Sequence, residues 1–491
     1  MSEEWRGPIA TMRNGWGGRD FPHPAGRRRL LGDLPQGMDP RTPLQNSMAR
    51  CRDLGPIFEM RFLNRRIVFV QGAALNAELC DESRFGKTLA PAVSNLRMFV
   101  GDGLFTAYTD EPNWALAHDL LRPAFTKPAM VTYHDTMNEV ADELIERWER
   151  ADAPVDVSGD LTRLTLETIG RTSFSHSFGS FEREEQDVFV SSMIRALTHG
   201  MRRQAIMMMP WGRWVVGRAD RRAQAAQSVV DDMVDGIIAD RLAADDNHER
   251  DLLGLMLHSA HQDTGARLDP LAVRRNVVTF LVAGHETTSG ALSFALWFLA
   301  THPQVRSRAQ AEVDAVLAGE VGGIPSYAAI ARLRYVRRVL DEALRLWPTA
   351  PAYARTPLRD TVIGEGAGVG APITMTTDDW ALIHLPLLHR DRSVWGEDVE
   401  RFDPDRFLPE AVRRRPAHSY KPFGTGERAC IGRQFALHEA VLVLARLLHR
   451  FDFEADPGYE LRITERLTLM PEGFTLTPRL RTPSTVSTID Q

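Results

Sequence analysis

Cysteine is nearly absent from this chain: Cys51, Cys80 and Cys430 are the three among 491 residues. They are widely spaced and include no CxxC pair, which excludes a disulfide framework and a zinc site and fits a reducing cytoplasm. There is no excess of positive charge. Lys and Arg total 59 against 65 Asp and Glu, a net charge of −6, so a protein-wide nucleic-acid footprint is excluded. The local clusters RRR at 27–29 and 413–415 read as solvated surface. The start, MSEEWRGPIATMRNGWGG, has no apolar run, so it reads as neither a signal peptide nor a membrane anchor. No internal repeat occurs, and no Pro/Gly linker divides residues 50–480. No GxGxxG motif follows a strand pattern, so no dinucleotide-binding unit is expected.

Helical periodicity is present in abundance. Residues 1–48, rich in Gly, Pro and Arg, predict an irregular arm. PIFEMRFLNRRIVFV, from 56 to 70, alternates as a β-hairpin does. Amphipathic helices dominate from about 72 to 355, and irregular Pro- and Gly-rich segments fill 356–425. A helix follows Cys430, then strand-like segments in YELRITERLTLM and GFTLTPRL. The expectation is a mainly α protein with a smaller β-rich part, one domain over 49–480, and a flexible Ser/Thr-rich tail over 481–491.

The most informative helix is DPLAVRRNVVTFLVAGHETTSGALSFALWFLATHP. Asp269 is a good N-cap, Pro270 suits the first helical position, and Pro303 marks the stop. About 32 helical residues span roughly 48 Å at 1.5 Å per residue, enough to cross the whole domain. Its apolar flanks predict burial, yet its middle reads Ala283-Gly284-His285-Glu286-Thr287-Thr288-Ser289. Burying an acid and hydroxyls costs several kcal/mol without partners or a water-lined cavity. Two readings fit: a satisfied polar cluster that pins packing, or a helix distorted around a small ligand, with an acid and a hydroxyl to move protons.

In VLDEALRLWP, Glu342 and Arg345 share a helical face at i,i+3. Alone, such a pair is uninformative. About 60 residues later FDPDRF supplies Arg406, which predicts a buried Glu–Arg–Arg cluster of structural rather than catalytic purpose. Then comes FGTGERACIG, three glycines, an arginine and Cys430 within ten residues, just ahead of a helix. This is Phe-x-x-Gly-x-Arg-x-Cys-x-Gly, at Phe423, Gly426, Arg428, Cys430 and Gly432.

With AGxxT, ExxR and FDPDRF preceding it in order, the chain resembles the cytochrome P-450 superfamily of haem-thiolate monooxygenases over roughly residues 50–480. GDGLFTAYTDEPNWALAH, AGHETTSGALSFAL and RACIGRQFALHEA are especially similar to the bacterial fatty-acid hydroxylases fused to a flavin reductase. The resemblance implies the corresponding fold with a long central helix, haem b, and O2 as co-substrate. It makes Cys430 the axial thiolate. Gly426 and Gly432 would allow the tight turn that brings amide groups to the sulfur, and the helix after it would stabilise the thiolate. Phe423 would pack beside the cysteine and limit water. Arg428, Trp114, His118 and Lys87 would meet the haem propionates; Arg355 fits that role or a surface loop. Thr287 resembles the family's oxygen-activating threonine and Glu286 its neighbouring acid.

The same resemblance implies a substrate pocket of Arg65, Phe69, Val93, Asn95, Ala283, Ala350 and Leu467. Two of these depart from the fused hydroxylases. Phe69 stands where a tyrosine helps hold the substrate carboxylate, leaving Arg65 alone at the channel mouth. Asn95 stands where a bulky phenylalanine lies above the haem, which predicts space and polarity at the oxidised end. Electrons are expected from a separate flavodoxin, ferredoxin or flavin reductase, or from a reductase on a longer chain, with NADPH and flavin bound there. Insertion of one oxygen atom into a fatty acid or related amphipathic substrate is the leading reading. A natural-product tailoring oxidase with a bulkier or more polar substrate is the second, and a non-catalytic haem gas sensor the third. A sensor would have no use for the acid and hydroxyl of AGHET.

Overall fold

The computed structural model describes residues 15–481 apart from 35–40, 64, 186, 208–211 and 245–250. The central helix is Pro270–Thr301, with the Asp269 carboxylate accepting a hydrogen bond from the Ala272 amide at 2.7 Å. His302 and Pro303 end it, and Pro303 opens the next helix, Pro303–Leu317. Apolar side chains on every face, among them Leu281, Leu292, Phe294 and Leu299, are fully buried, as expected of a helix inside a large domain. The helix stays regular through Ala283–Ser289, so of the two open readings the distorted helix is not the one found. Small residues make the room instead. A Cβ on Gly284 would lie 3.2 Å from Ile169 on helix Val157–Phe174, and one on Gly290 would lie 2.8 Å from the Leu469 carbonyl. Thr165 ties the two helices by donating to the His285 carbonyl at 2.8 Å.

The expected hairpin is present as strands Ile57–Phe62 and Arg65–Val70, paired from Ile57↔Val70 to Phe62↔Arg65. Strand Ala381–His384 joins Arg65–Val70 in parallel. Antiparallel strands Ala352–Pro357 and Phe85–Thr88 complete a five-stranded sheet. A two-stranded hairpin, Ile463–Glu465 with Leu469–Pro471, packs on the central helix at Gly290. No helix among the described residues is long and apolar enough to cross a membrane.

Residues 15–34 are irregular, as expected, but they are packed rather than a loose arm. Trp16 and Phe21 are buried against the sheet, and the Trp16 amide donates to Asp379 at 2.8 Å. Asp33 and Glu59 are buried carboxylates, and Arg27 pairs with both, at 2.7 and 2.6 Å. Buried carboxylates need such a counter-ion, so Arg27 is recruited while Arg28 and Arg29 remain exposed. Helix Pro43–Cys51 runs across the expected boundary at 48. In the second cluster, Arg415 is not solvated surface either: its guanidinium covers Trp395 at 3.9 Å. The expected tail lies outside the described residues beyond Arg481, which pairs with buried Asp314 at 2.5 Å.

Candidate active site

The loop Phe423–Gly432 turns at Gly426, whose φ of +68° belongs to the left-handed region. A Cβ there would also strike the Glu82 carboxylate at 1.7 Å, and that carboxylate accepts from the Glu427 amide at 3.0 Å. The Cys430 amide closes the loop on the Phe423 carbonyl at 2.8 Å. Gly432 is not a left-handed turn residue: its φ is −81°, and a Cβ would sit 4.0 Å from the Cys430 sulfur. Its contribution is an amide that hydrogen-bonds the thiol, at the start of helix Arg433–Arg450. Burial pushes the Cys430 thiol up, while the Gly432 amide and the Arg433 charge pull it down. Cys430 nevertheless has exposed surface, and it lines a cavity of about 1390 Å³.

That cavity gathers most of the expected site. Phe423, Arg428, Lys87, Trp114 and His118 line it together with Thr287, Ala283, Arg65, Phe69, Val93, Ala350 and Leu467. The Thr287 hydroxyl donates to the Ala283 carbonyl at 2.8 Å. Glu286 does not line the cavity. It is buried, and neither carboxylate oxygen has a hydrogen-bond partner. His285, also buried, is hydrogen-bonded from Nδ1 to the Leu281 carbonyl at 2.6 Å, and burial depresses its pKa, so it is neutral. Phe69 is buried and stacks on Phe58 at 4.9 Å, an aromatic contact that offers the cavity no hydroxyl. Asn95 belongs to helix Pro91–Val100, but its side chain lies outside the described residues.

One edge of the cavity is strongly cationic. Lys87 and Arg355 are directly opposed across strands Phe85–Thr88 and Ala352–Pro357. Arg428 joins them, with its guanidinium 4.5 Å from the Trp114 ring and a 2.6 Å hydrogen bond to the Ala107 carbonyl. Trp114 in turn stacks on His118 at 5.2 Å. Among the described residues none of the three cations has an ion-pair partner, and Arg355 Nε makes no hydrogen bond. Glu111 is near enough to act on Arg428, but it is bound to Arg97. Burial, then Arg428 and Arg355, holds the Lys87 amine well below its usual range.

The structural cluster assembles away from the cavity. Arg345 and Glu342 are joined by hydrogen bonds of 2.7 and 2.8 Å, and Glu342 also accepts from the Asp403 amide at 2.9 Å. Arg406 completes the group only at long range, 3.6 Å from Glu342, because its guanidinium serves the Trp395 and Asp398 carbonyls.

One cavity-lining residue gave no signal in the sequence reading. Arg466 occupies the turn of the Ile463–Pro471 hairpin, 3.6 Å from the Glu286 carboxylate. A charge in the turn beside the pocket residue Leu467 was the available hint. Its neighbour Glu465 fixes that turn by accepting from the Leu44 and Gln45 amides, at 2.8 and 2.7 Å, where helix Pro43–Cys51 begins.

Comparison with known proteins places the whole fold in a family. The family model described as Cytochrome P-450 matches residues 22–479. The chain is 43% identical over 453 residues to a bifunctional cytochrome P-450/NADPH–P-450 reductase of Bacillus subtilis, covering 92% of this chain and 41% of that one. A bifunctional protein of the same description from Bacillus cereus is 42% identical over 458 residues, 92% of this chain and 42% of that one. A self-sufficient cytochrome P-450 monooxygenase of Aspergillus terreus is 38% identical over 445 residues, 89% and 41% of the two chains. The chain thus spans about two fifths of the length of these relatives. A cysteine loop on a large cavity, a polar-centred helix along it and a family match from one end of the fold to the other lead to one conclusion: this chain belongs to the cytochrome P-450 family.

Proposed function

We propose that this chain carries out haem-thiolate monooxygenation: one atom of O2 is inserted into a fatty acid or related amphipathic substrate, with electrons from a reductase. The observation that carries this reading is a single cavity lined by Cys430, Thr287 and a cationic edge with no acidic partner of its own. Haem b fits these residues. Three converging cations and the orphaned Arg355 Nε suit two propionate groups, and the Cys430 sulfur, hydrogen-bonded from Gly432, would hold the iron. The bound group supplies the redox chemistry, and a thiolate ligand favours O–O cleavage.

The chain's own residues do the rest. Lys87, Arg355 and Arg428 would hold the propionates, while Phe423 would cover the cysteine side. Thr287 and Glu286 move the protons that the net reaction consumes: O2, two electrons, two protons and R–H give R–OH and water. Ala283, Ala350, Val93 and Leu467 furnish apolar wall, and Arg65 meets an acidic head group. The partner is a flavin reductase, flavodoxin or ferredoxin, and the setting is the cytoplasm.

Phe69 supports a second substrate reading. With its ring packed on Phe58 and no hydroxyl to offer, the mouth anchors a carboxylate through Arg65 alone. That favours amphipathic substrates with bulkier or more polar groups over plain fatty acids, as a natural-product tailoring oxidase would use. The deciding experiment is the absorption spectrum of dithionite-reduced protein under carbon monoxide. A strongly red-shifted Soret band is expected for wild type, with its loss in Cys430→Ser. Well-folded, haem-supplied wild type without that band would overturn the reading. Substrate-induced spin shifts then rank saturated fatty acids against bulkier amphiphiles.

A further inference from the structure

Glu286 presents an electrostatic problem that the proton-delivery role alone does not resolve. Its carboxylate is buried, and neither oxygen receives a hydrogen bond. A buried carboxylate without a partner costs several kcal/mol. His285, adjacent in sequence, is neutral and committed to the Leu281 carbonyl, so it cannot serve as counter-ion. Among the described residues, the cation within ion-pairing distance of Glu286 is Arg466, at 3.6 Å.

Arg466 is held there by the fold rather than by Glu286. The hairpin carrying it is fixed by the Glu465 cap on helix Pro43–Cys51 and by the Leu469 amide, which donates to the Thr349 carbonyl at 2.9 Å. The bare Gly290 lets that hairpin lie against the central helix one turn beyond Glu286. The Arg466 side chain keeps 31% of its surface exposed and lines the cavity, whereas Glu286 keeps 3%. A guanidinium thus stands between a buried acid and the space where protons are consumed. It remains charged throughout, since arginine does not deprotonate in proteins.

We propose that Arg466 is a positioning residue for proton delivery, pairing with the buried Glu286 carboxylate at 3.6 Å and aiming it at the Thr287 side of the cavity. This rests on the monooxygenase reading above. In each transfer, Glu286 takes up one proton from solvent, and the carboxylic acid passes a proton to the Thr287 oxygen as that hydroxyl gives up its own to the cavity, which draws the two protons of the net reaction from bulk water. Glu286 returns to a carboxylate and Thr287 is unchanged. The 3.6 Å separation is an ion pair without a tight hydrogen bond, which leaves the carboxylate free to turn. If the acid is misdirected, O2, two electrons and two protons leave as hydrogen peroxide rather than as water and hydroxylated product.

The test uses haem-loaded protein with its reductase and four variants: Arg466→Gln, Arg466→Lys, Glu286→Gln and the double Arg466→Gln/Glu286→Gln. Thermal stability comes first, because it reads the pair without turnover. Arg466→Gln is expected to lower the midpoint by a few degrees, and to lower it no further when Glu286→Gln is already present. The peroxide released per NADPH consumed is then expected to rise several-fold in Arg466→Gln, to recover in Arg466→Lys, and to be insensitive to Arg466 in the Glu286→Gln background. Additive stability effects would overturn the pairing. Coupled stability with unchanged peroxide would overturn the role in proton delivery. Absence of the thiolate carbon-monoxide band in wild type would instead overturn the monooxygenase reading at its root, and this proposal with it.

Discussion

Lys87 and Arg355 are directly opposed across two antiparallel strands, and no carboxylate pairs with either among the described residues. Like charges placed directly opposite are destabilising, and here Arg428 adds a third cation. Such an arrangement is a cost to the protein without its cofactor and a gain once anionic groups lie among the cations. The two states therefore respond to mutation with opposite signs. Lys87→Gln is expected to stabilise the haem-free protein slightly, by about 0.5 kcal/mol, while it speeds loss of haem from the loaded one. Thermal midpoints of both forms, and haem transfer to an acceptor protein, check the pair of signs. Slower haem release in the variant would remove Lys87 from the propionate site.

Glu342 and Arg345 present the other case, a pair whose side chains are both fully buried. Burial raises the Glu342 carboxyl, and Arg345 and the Asp403 amide only partly oppose it. Removing one partner strands a charge in the core, so Glu342→Ala or Arg345→Ala is expected to cost about 3–5 kcal/mol. Arg345 also donates to the His389 and Val399 carbonyls, at 3.0 and 2.8 Å, so losing it loosens the approach to the cysteine loop as well. The double variant is expected to cost clearly less than the sum of the single ones. Denaturant unfolding of all three checks this, and additive losses would mean the two charges act independently.

The extent of the central helix was legible because its signals are local: Asp269 as cap, Pro270 at the first position and Pro303 at the stop. The hairpin at 57–70 was legible from alternation alone. Most residues expected at the site, Glu286 apart, come to one cavity because a motif fixes each to a loop or a helix position and the fold brings those elements together. What stayed hidden depends on partners distant in sequence. Arg27 looks like any surface arginine until Asp33 and Glu59 are seen buried beside it. Arg466 meets Glu286 only when a hairpin 180 residues downstream lies on the central helix. Whether the helix is regular or distorted at Gly284 stayed open in the sequence because glycine signals either backbone freedom or close approach, and only the neighbour Ile169 decides between them.

Thr287 can be removed without harming the fold, because among the described residues its hydroxyl bonds only to the Ala283 carbonyl of its own helix. Such back-bonding does not stabilise a helix, so Thr287→Ala is expected to leave the thermal midpoint within about a degree of wild type. Productive turnover, however, is expected to fall about 10- to 100-fold, with oxygen and NADPH consumption diverted to peroxide. Thr287→Ser keeps a hydroxyl and should recover much of the coupling. The ratio of product to NADPH consumed is the measurement. Full coupling in Thr287→Ala would exclude the hydroxyl from proton transfer.

Glu439 carries a charge problem that catalysis does not use. It is fully enclosed on helix Arg433–Arg450, with one carboxylate oxygen unpartnered, and burial pushes its carboxyl up to about 8 against only a Thr168 hydrogen bond. The folded chain thus keeps a proton that the unfolded chain releases near 4.5. Between those two values unfolding releases that proton, so its contribution to stability falls as pH rises from about 4.5 toward 8. At neutral pH the loss reaches at most about 3.4 kcal/mol, at 1.36 kcal/mol per pH unit over the 2.5 units from 4.5 to 7. Glu439→Gln keeps the size and the bond to Thr168 without the proton. Its unfolding free energy should exceed that of wild type at pH 7 by up to that amount, with the difference vanishing below pH 4.5. A constant offset between the two proteins across the range would mean that Glu439 is ionised in the fold and has found a partner there.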